Sequence, residues 1–245
     1  MKLSIPIACS LALSVSCGVQ SSFEVHSSGL SGVKGSGVVI EETRDVTTFD
    51  SIRVEGSLTV VLSLGEAGPL RIKAEDNLAP LVIAAVKGSE LTLKTSDSYS
   101  TKSGIEIYVT TPDIRSIKAS GSTDVLCQGL LEVEELALEA SGSSEIECHV
   151  NAGSLKAIAG GSSDIRLSGE VNLFNVMASG ASDVAAFELF AWDVDVTTSG
   201  SSDASVNARN LQAHASGSSD IRYRGPIERF ITKCLEAGSI EGEGT

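Results

Sequence analysis

The sequence predicts an all-β fold: a parallel β-helix, or solenoid, with coils of about 20 residues. Three observations lead there. A short motif recurs six times at near-constant spacing, and apolar residues alternate with polar ones on both sides of it. The composition is 42% hydrophobic yet only 4% aromatic, with 24 Gly. Such hydrophobic content excludes intrinsic disorder, which needs chains too polar to bury a core. The formal net charge of −14 excludes a phosphate-backbone binder, which needs a basic face. No nucleic-acid partner is expected.

Residues 1–16 read as an export signal: Lys2, an apolar run from Leu3 to Val15, then small residues. The run is too short to span a bilayer, which takes about 20 residues. Leu13-Ser14-Val15-Ser16-Cys17-Gly18 resembles a bacterial lipobox, which makes Cys17 the expected lipidation site, although Ser14 stands where an aliphatic residue is usual. Ordinary cleavage after Ser16 is the alternative. Residues 17–43, with Ser21-Ser22, Ser27-Ser28-Gly29 and Gly35-Ser36-Gly37, read as a flexible tether. Residues 44–245 are then a single solenoid domain.

Within that domain, residues 44–118 alternate in short stretches: Ile52, Val54; Leu58, Val60, Leu62, Leu64; Leu70, Ile72, Ala74; Leu91, Leu93; Ile105, Ile107, Val109. Turn residues at 65–69, 87–90 and 111–113 separate them. Only Leu78–Val86 is ambiguous between helix and strand.

The repeats occupy residues 114–226. Their aligned glycines are Gly121, Gly142, Gly161, Gly180, Gly200 and Gly217, each inside a segment such as Ala140-Ser-Gly-Ser-Ser-Glu-Ile146 or Ala215-Ser-Gly-Ser-Ser-Asp-Ile221. Recurrence at fixed period signals a repeat array. Period-two alternation means strands with one buried face, so each unit reads as two short strands flanking a Ser-Gly-Ser-Ser corner. A propeller blade needs about 40 residues, twice what is present. A β-sandwich of short hairpins is the alternative; the β-helix is preferred because equivalent residues then stack about 4.8 Å apart, which favours small aliphatic side chains over large rings. Residues 227–245 keep Gly238 but no Asp, and read as an atypical closing coil.

Together these features resemble a known family. Val46-x-x-Phe49-x-x-Ile52-x-Val54-x-Gly56, Leu70-Arg-Ile-Lys-Ala-Glu-Asp-Asn77, Gly88-x-x-Leu91-x-Leu93, a strand ending in Thr111-Pro112, and the serial corners are similar to the bacterial putative auto-transporter adhesin, head GIN domain. The resemblance spans residues 44–235 and implies a right-handed β-helix at the cell envelope. It carries no catalytic motif.

Several residues invite a site. A carboxylate three residues after each corner glycine makes an acidic row, Asp124, Glu145, Asp164, Asp183, Asp203 and Asp220, one per coil. It is expected either to cap the corner N–H groups, with help from the neighbouring Ser hydroxyls, or to take a ligand or cation. The calcium nonapeptide pattern is absent, since that repeat is nine residues long. Cys127 and Cys148 share a repeat position, so their Cα atoms should lie within disulfide range, and export permits oxidation. Stacked side chains point in parallel, which favours two reduced thiols instead. Cys234 has no evident partner. His26, His149 and His214 share no repeat offset, so no metal site and no cofactor is expected. A β-helix lyase or hydrolase would need clustered carboxylates with a basic residue in an aromatic-lined groove, and no Gly-x-Ser-x-Gly elbow occurs either. The expected protein is therefore a non-catalytic, lipid-anchored lipoprotein of the cell envelope, at the outer membrane or surface. It would act as an adhesin-like module toward a glycan, matrix or protein ligand. A structural spacer without ligand is the second reading, and a carbohydrate-active enzyme the third.

Overall fold

The computed structural model describes residues 32–235 and 237–243. The signal, Cys17 and the first part of the expected tether lie outside them. The described chain forms a β-solenoid of about 7 turns with coils of roughly 19 residues. The parallel register between consecutive coils replaces the hairpin sandwich.

The N-terminal strands are β1 (Val33–Lys34), β2 (Val39–Arg44), β3 (Ser51–Gly56), β4 (Thr59–Leu64) and β5 (Leu70–Glu75). A 3-10 turn, Ala79–Leu81, leads into β6 (Val82–Lys87), which resolves the ambiguous stretch in favour of strand. Next come β7 (Glu90–Thr95), β8 (Tyr99–Ser100), β9 (Glu106–Thr111) and β10 (Ser116–Gly121). The repeats follow as β11 (Asp124–Gly142), β12 (Glu145–Gly161), β13 (Asp164–Gly180), β14 (Asp183–Gly200) and β15 (Asp203–Ala215). The chain finishes with β16 (Asp220–Arg224), β17 (Arg229–Cys234) and β18 (Ser239–Gly242). Each repeat is thus one long strand that bends between two corners, where the sequence suggested two short strands.

The core is built of stacks. Val125, Ile146, Ile165, Val184, Ala204 and Ile221 pair in register from coil to coil, and all are buried. A second stack runs Ile52, Ile117, Leu138, Ala157, Val176, Val196. The coil β3–β4 lies between β7 with β9 on one side and β10 with β11 on the other. The chain therefore leaves the stack after β4, builds the outer coil, and returns to add β10 onto β3.

The two ends differ. At the N-terminal end the parallel ladder turns antiparallel: β6 pairs with β7, β5 with β9, and β2 with β5. Residues 39–44, within the stretch read as tether, are consequently part of this sheet, and residues 33–34 pair with β8 in a separate two-stranded sheet. Glu75 fastens the segment by accepting hydrogen bonds from the Gly37 N–H and the Thr101 hydroxyl. At the C-terminal end β17 pairs with β15 and β18 with β16. Every residue of β17 remains exposed. That last coil extends the stack but does not bury a core of its own.

Candidate functional site

Each corner is an orderly structure. The glycines of the corners sit at φ between 78° and 92° from Gly121 to Gly217, and Gly56 joins them at 103°, a region that L side chains avoid. A Cβ on Gly142 would also lie 2.6 Å from the Gly121 carbonyl oxygen. The ladder continues through the turn: the Ser143 N–H donates to Gly121 O and the Glu145 N–H to Thr123 O, at 2.7 and 2.9 Å, with equivalents in the following coils. The second Ser of the motif is buried. Ser163 Oγ accepts from Gly160 N–H (3.1 Å) and lies 2.9 Å from Gly160 O and 3.0 Å from Ala140 O, and Ser144, Ser182 and Ser202 repeat the arrangement.

Apart from Asp203, which accepts one backbone N–H, the acidic row therefore does not cap the corners. Asp124, Glu145, Asp164, Asp183, Asp203 and Asp220 stack in register on the outer face, preceded by Thr59 and followed by Ser239. The corner N–H groups are already bonded to carbonyls of the preceding coil, and the buried Ser144, Ser163, Ser182 and Ser202 hydroxyls to the corner backbone. Among the described residues the row's own partners are few. Arg166 pairs with Glu145 and, at 3.5 Å, with Asp164. Asp203 accepts the Asp220 N–H at 3.3 Å, and Asp220 accepts the Ser239 hydroxyl at 2.7 Å. Desolvation pushes the Asp183 carboxyl above the usual aspartate range, with further repulsion from Asp164 and Asp203 and partial relief from Arg166 and Arg222. Among the described residues no group of three or more His, Cys, Asp or Glu could hold a metal ion.

Cys127 and Cys148 form a disulfide with Cα atoms 4.7 Å apart. It joins β11 to β12. Cys234 is free and exposed. His149 is exposed, its Nδ1 2.9 Å from Ser168 Oγ.

The repeat spacings of 21, 19, 19, 20 and 17 residues are reconciled almost wholly at one bend. Between Leu126 and Leu130 the strand β11 carries two more residues than β12; β14 carries one more than β13 beyond Ala185, and three more than β15 between Ala186 and Phe190. The irregular stretches, Cys127 to Gly129 and Phe187 to Leu189, lie at this bend; Gln128, Gly129 and Glu188 are exposed, while Cys127 and Leu189 stay buried. The two stretches frame a cleft of about 470 Å³ with Leu130, Leu167 and the disulfide in its floor and His149, Arg166 and Glu188 at its rim. The Arg224 guanidinium lies 5.0 Å from the Phe187 ring and also bonds Phe187 O and Glu188. No signal in a single repeat marks this cleft; it is legible only from the differences among the repeat lengths.

A second cleft, of about 350 Å³, lies on another face. Two rows cross it: Leu173, Asp193, Asn210, Arg229 and, two residues on, Asn175, Asp195, Gln212, Ile231. Asn210 donates to Asp193 at 2.9 Å and Gln212 to Asp195 at 3.4 Å. Sequence reasoning missed both rows, because each is visible only when the coils are aligned away from the conspicuous corner.

Comparison with known proteins bears on this architecture. A family model described as "Putative auto-transporter adhesin, head GIN domain" matches residues 48–226. A crystal structure of a putative adhesin from Bacteroides fragilis superposes with a TM-score of 0.79 at 22% identity, over 86% of this chain and 100% of that one. A putative adhesin from Parabacteroides distasonis gives 0.71 at 21% identity, over 86% and 99%. A protein from the same species named as a putative lipid binding protein gives 0.70 at 19% identity, again over 86% and 99%. At such identities the likeness is one of fold. No curated protein matches the chain.

Proposed function

The chain belongs to the putative auto-transporter adhesin, head GIN domain family, and from that premise we propose that it is a non-catalytic, adhesin-like binding module of the cell envelope, exported and held to a membrane through a lipid on Cys17. One observation carries the binding reading: the length differences among the coils collect at a single bend and open the 470 Å³ cleft there. In repeat proteins the binding face is often the one that takes the insertions, and a largely apolar cleft with a few polar groups at its rim is the usual form of a ligand site. The apolar floor also favours a second reading, a ligand with an acyl or similarly apolar body, in keeping with the name of one protein of this fold.

Two experiments test the proposal. Cys17→Ser should release the protein from membranes and abolish labelling by a palmitate analogue; unchanged partitioning would refute the anchor. The purified mature protein should bind at least one of immobilised glycans, matrix proteins or a fluorescent fatty acid. Leu130→Glu and Phe187→Ser should weaken contact with a matrix protein or the fatty acid while leaving the fold intact. Silence toward all three classes favours a spacer, and turnover of any of them overturns the non-catalytic reading.

A further inference from the structure

We propose that the polar cleft on β13, β14, β15 and β17 binds a neutral, extended polysaccharide, laid across the coils with successive sugar units on successive rungs. This rests on the reading of the protein as a binding module, but not on the bulged cleft.

The chemistry of the two rows is specific. Asp193 and Asp195 project from the same side of β14, and each has one carboxylate oxygen engaged by an amide from the next coil. All four residues line the cleft, and among the described residues the second carboxylate oxygen, the amide oxygens of Asn210 and Gln212 and a second N–H on each amide have no other hydrogen-bond partner. A sugar hydroxyl is donor and acceptor at once, and a vicinal pair matches a carboxylate beside an amide. Among the described residues neither aspartate is in an ion pair, and Arg229, next in the row, is in none either. Leu173, 54% exposed, and Ile231, 42% exposed, offer apolar platforms for the C–H face of a pyranose. Beside Asp193 stands Trp192, the only Trp of the chain, 40% exposed and stacked against Arg209 at 4.8 Å.

Other ligand classes fit less well. An anion would meet two carboxylates, and a metal ion would find no converging set of three among the described residues. The rung spacing of about 4.8 Å is close to the length of one pyranose unit, so a straight glycan can repeat its contacts where a globular partner cannot.

The test uses the mature protein and linear tetrasaccharides of glucose, N-acetylglucosamine, mannose and galactose. Saturable binding of at least one is expected in NMR titration, with shifts at Asp193, Asp195, Asn210 and Gln212 and none at Gly129 or Phe187. The double variant Asn210→Ala/Gln212→Ala should weaken that binding at least about tenfold, as expected for two lost hydrogen bonds. Leu130→Glu should leave it unchanged. The inference is overturned if no tetrasaccharide binds, or if shifts map to the bulged cleft. A protein that binds matrix proteins or fatty acid but no saccharide would lose this inference alone, leaving the binding-module reading in place.

Discussion

Ser163 and Thr123 occupy equivalent places, one residue before the acidic row, yet they are not equivalent in energy. Ser163 shares its hydroxyl between the corner and the preceding coil, whereas Thr123 Oγ1 is buried with no partner among the described residues. A buried polar group costs stability when unsatisfied and little when removed together with its need. Ser163→Ala should therefore cost about 1–3 kcal/mol, while Thr123→Val should be neutral or stabilise by up to about 1 kcal/mol. Chemical denaturation of the two variants checks the contrast, and equal losses would refute it. Asp183 is the other informative residue. Its folded-state pKa is raised, so ionisation opposes folding at any pH above the folded value, and the penalty vanishes once pH falls below the ordinary value of 3.8. Asp183→Asn should thus raise Tm at pH 7 and leave it unchanged near pH 3. A gain that is independent of pH would mean that the shift is not the cause. The row as a whole was legible from its spacing, but its surroundings were not: the buried Ser hydroxyls next to the carboxylates are spent on backbone, and relief comes from Arg166 and Arg222, one row away.

At the scale of the element, the alternation of apolar residues fixed which side of each strand faces inward. Ile165 has no exposure and stacks between Ile146 and Val184, while Asp164 beside it faces out. Ile165→Asp should cost at least about 4 kcal/mol, and Asp164→Ile no more than about 1 kcal/mol, read as the difference in unfolding midpoint. Similar losses from both would reverse the face assignment. What the periodicity could not show is where a coil bends or which residues are extra. The alternation falters at Phe187 to Leu189 and at Cys127 to Gly129, where the inward positions pass from Ala186 to Leu189 and from Cys127 to Leu131, but such a lapse does not count the extra residues, because a bulge is defined by the partner strand rather than by its own sequence. The same limit hid the second cleft, whose Asp193 and Asn210 become neighbours only after a three-residue offset is absorbed one bend earlier.

For the whole molecule, the repeat predicted the stack and its period, and Gly56 belongs to the same column as Gly121 although 65 residues separate them. The detour from β5 to β9 that causes this gap has ordinary strands and turns, so nothing local announces that it is an excursion. The disulfide closes a loop across 21 residues, a constraint worth about 3 kcal/mol by its effect on the unfolded chain. The variant Cys127→Ser/Cys148→Ser should lose about that much, and a fully reduced wild type should match it; indifference to both would show that the bond adds nothing to the stack. Because each coil is held only by its neighbours, the same bond has a mechanical consequence. Stretched between its ends, the protein would not snap open as a unit but pay out one turn after another, starting from the uncovered C-terminal coil. Each released turn would add about 65 Å of slack, while the crosslinked loop stayed shut and acted as a stop, so that a sudden tug would be absorbed as length.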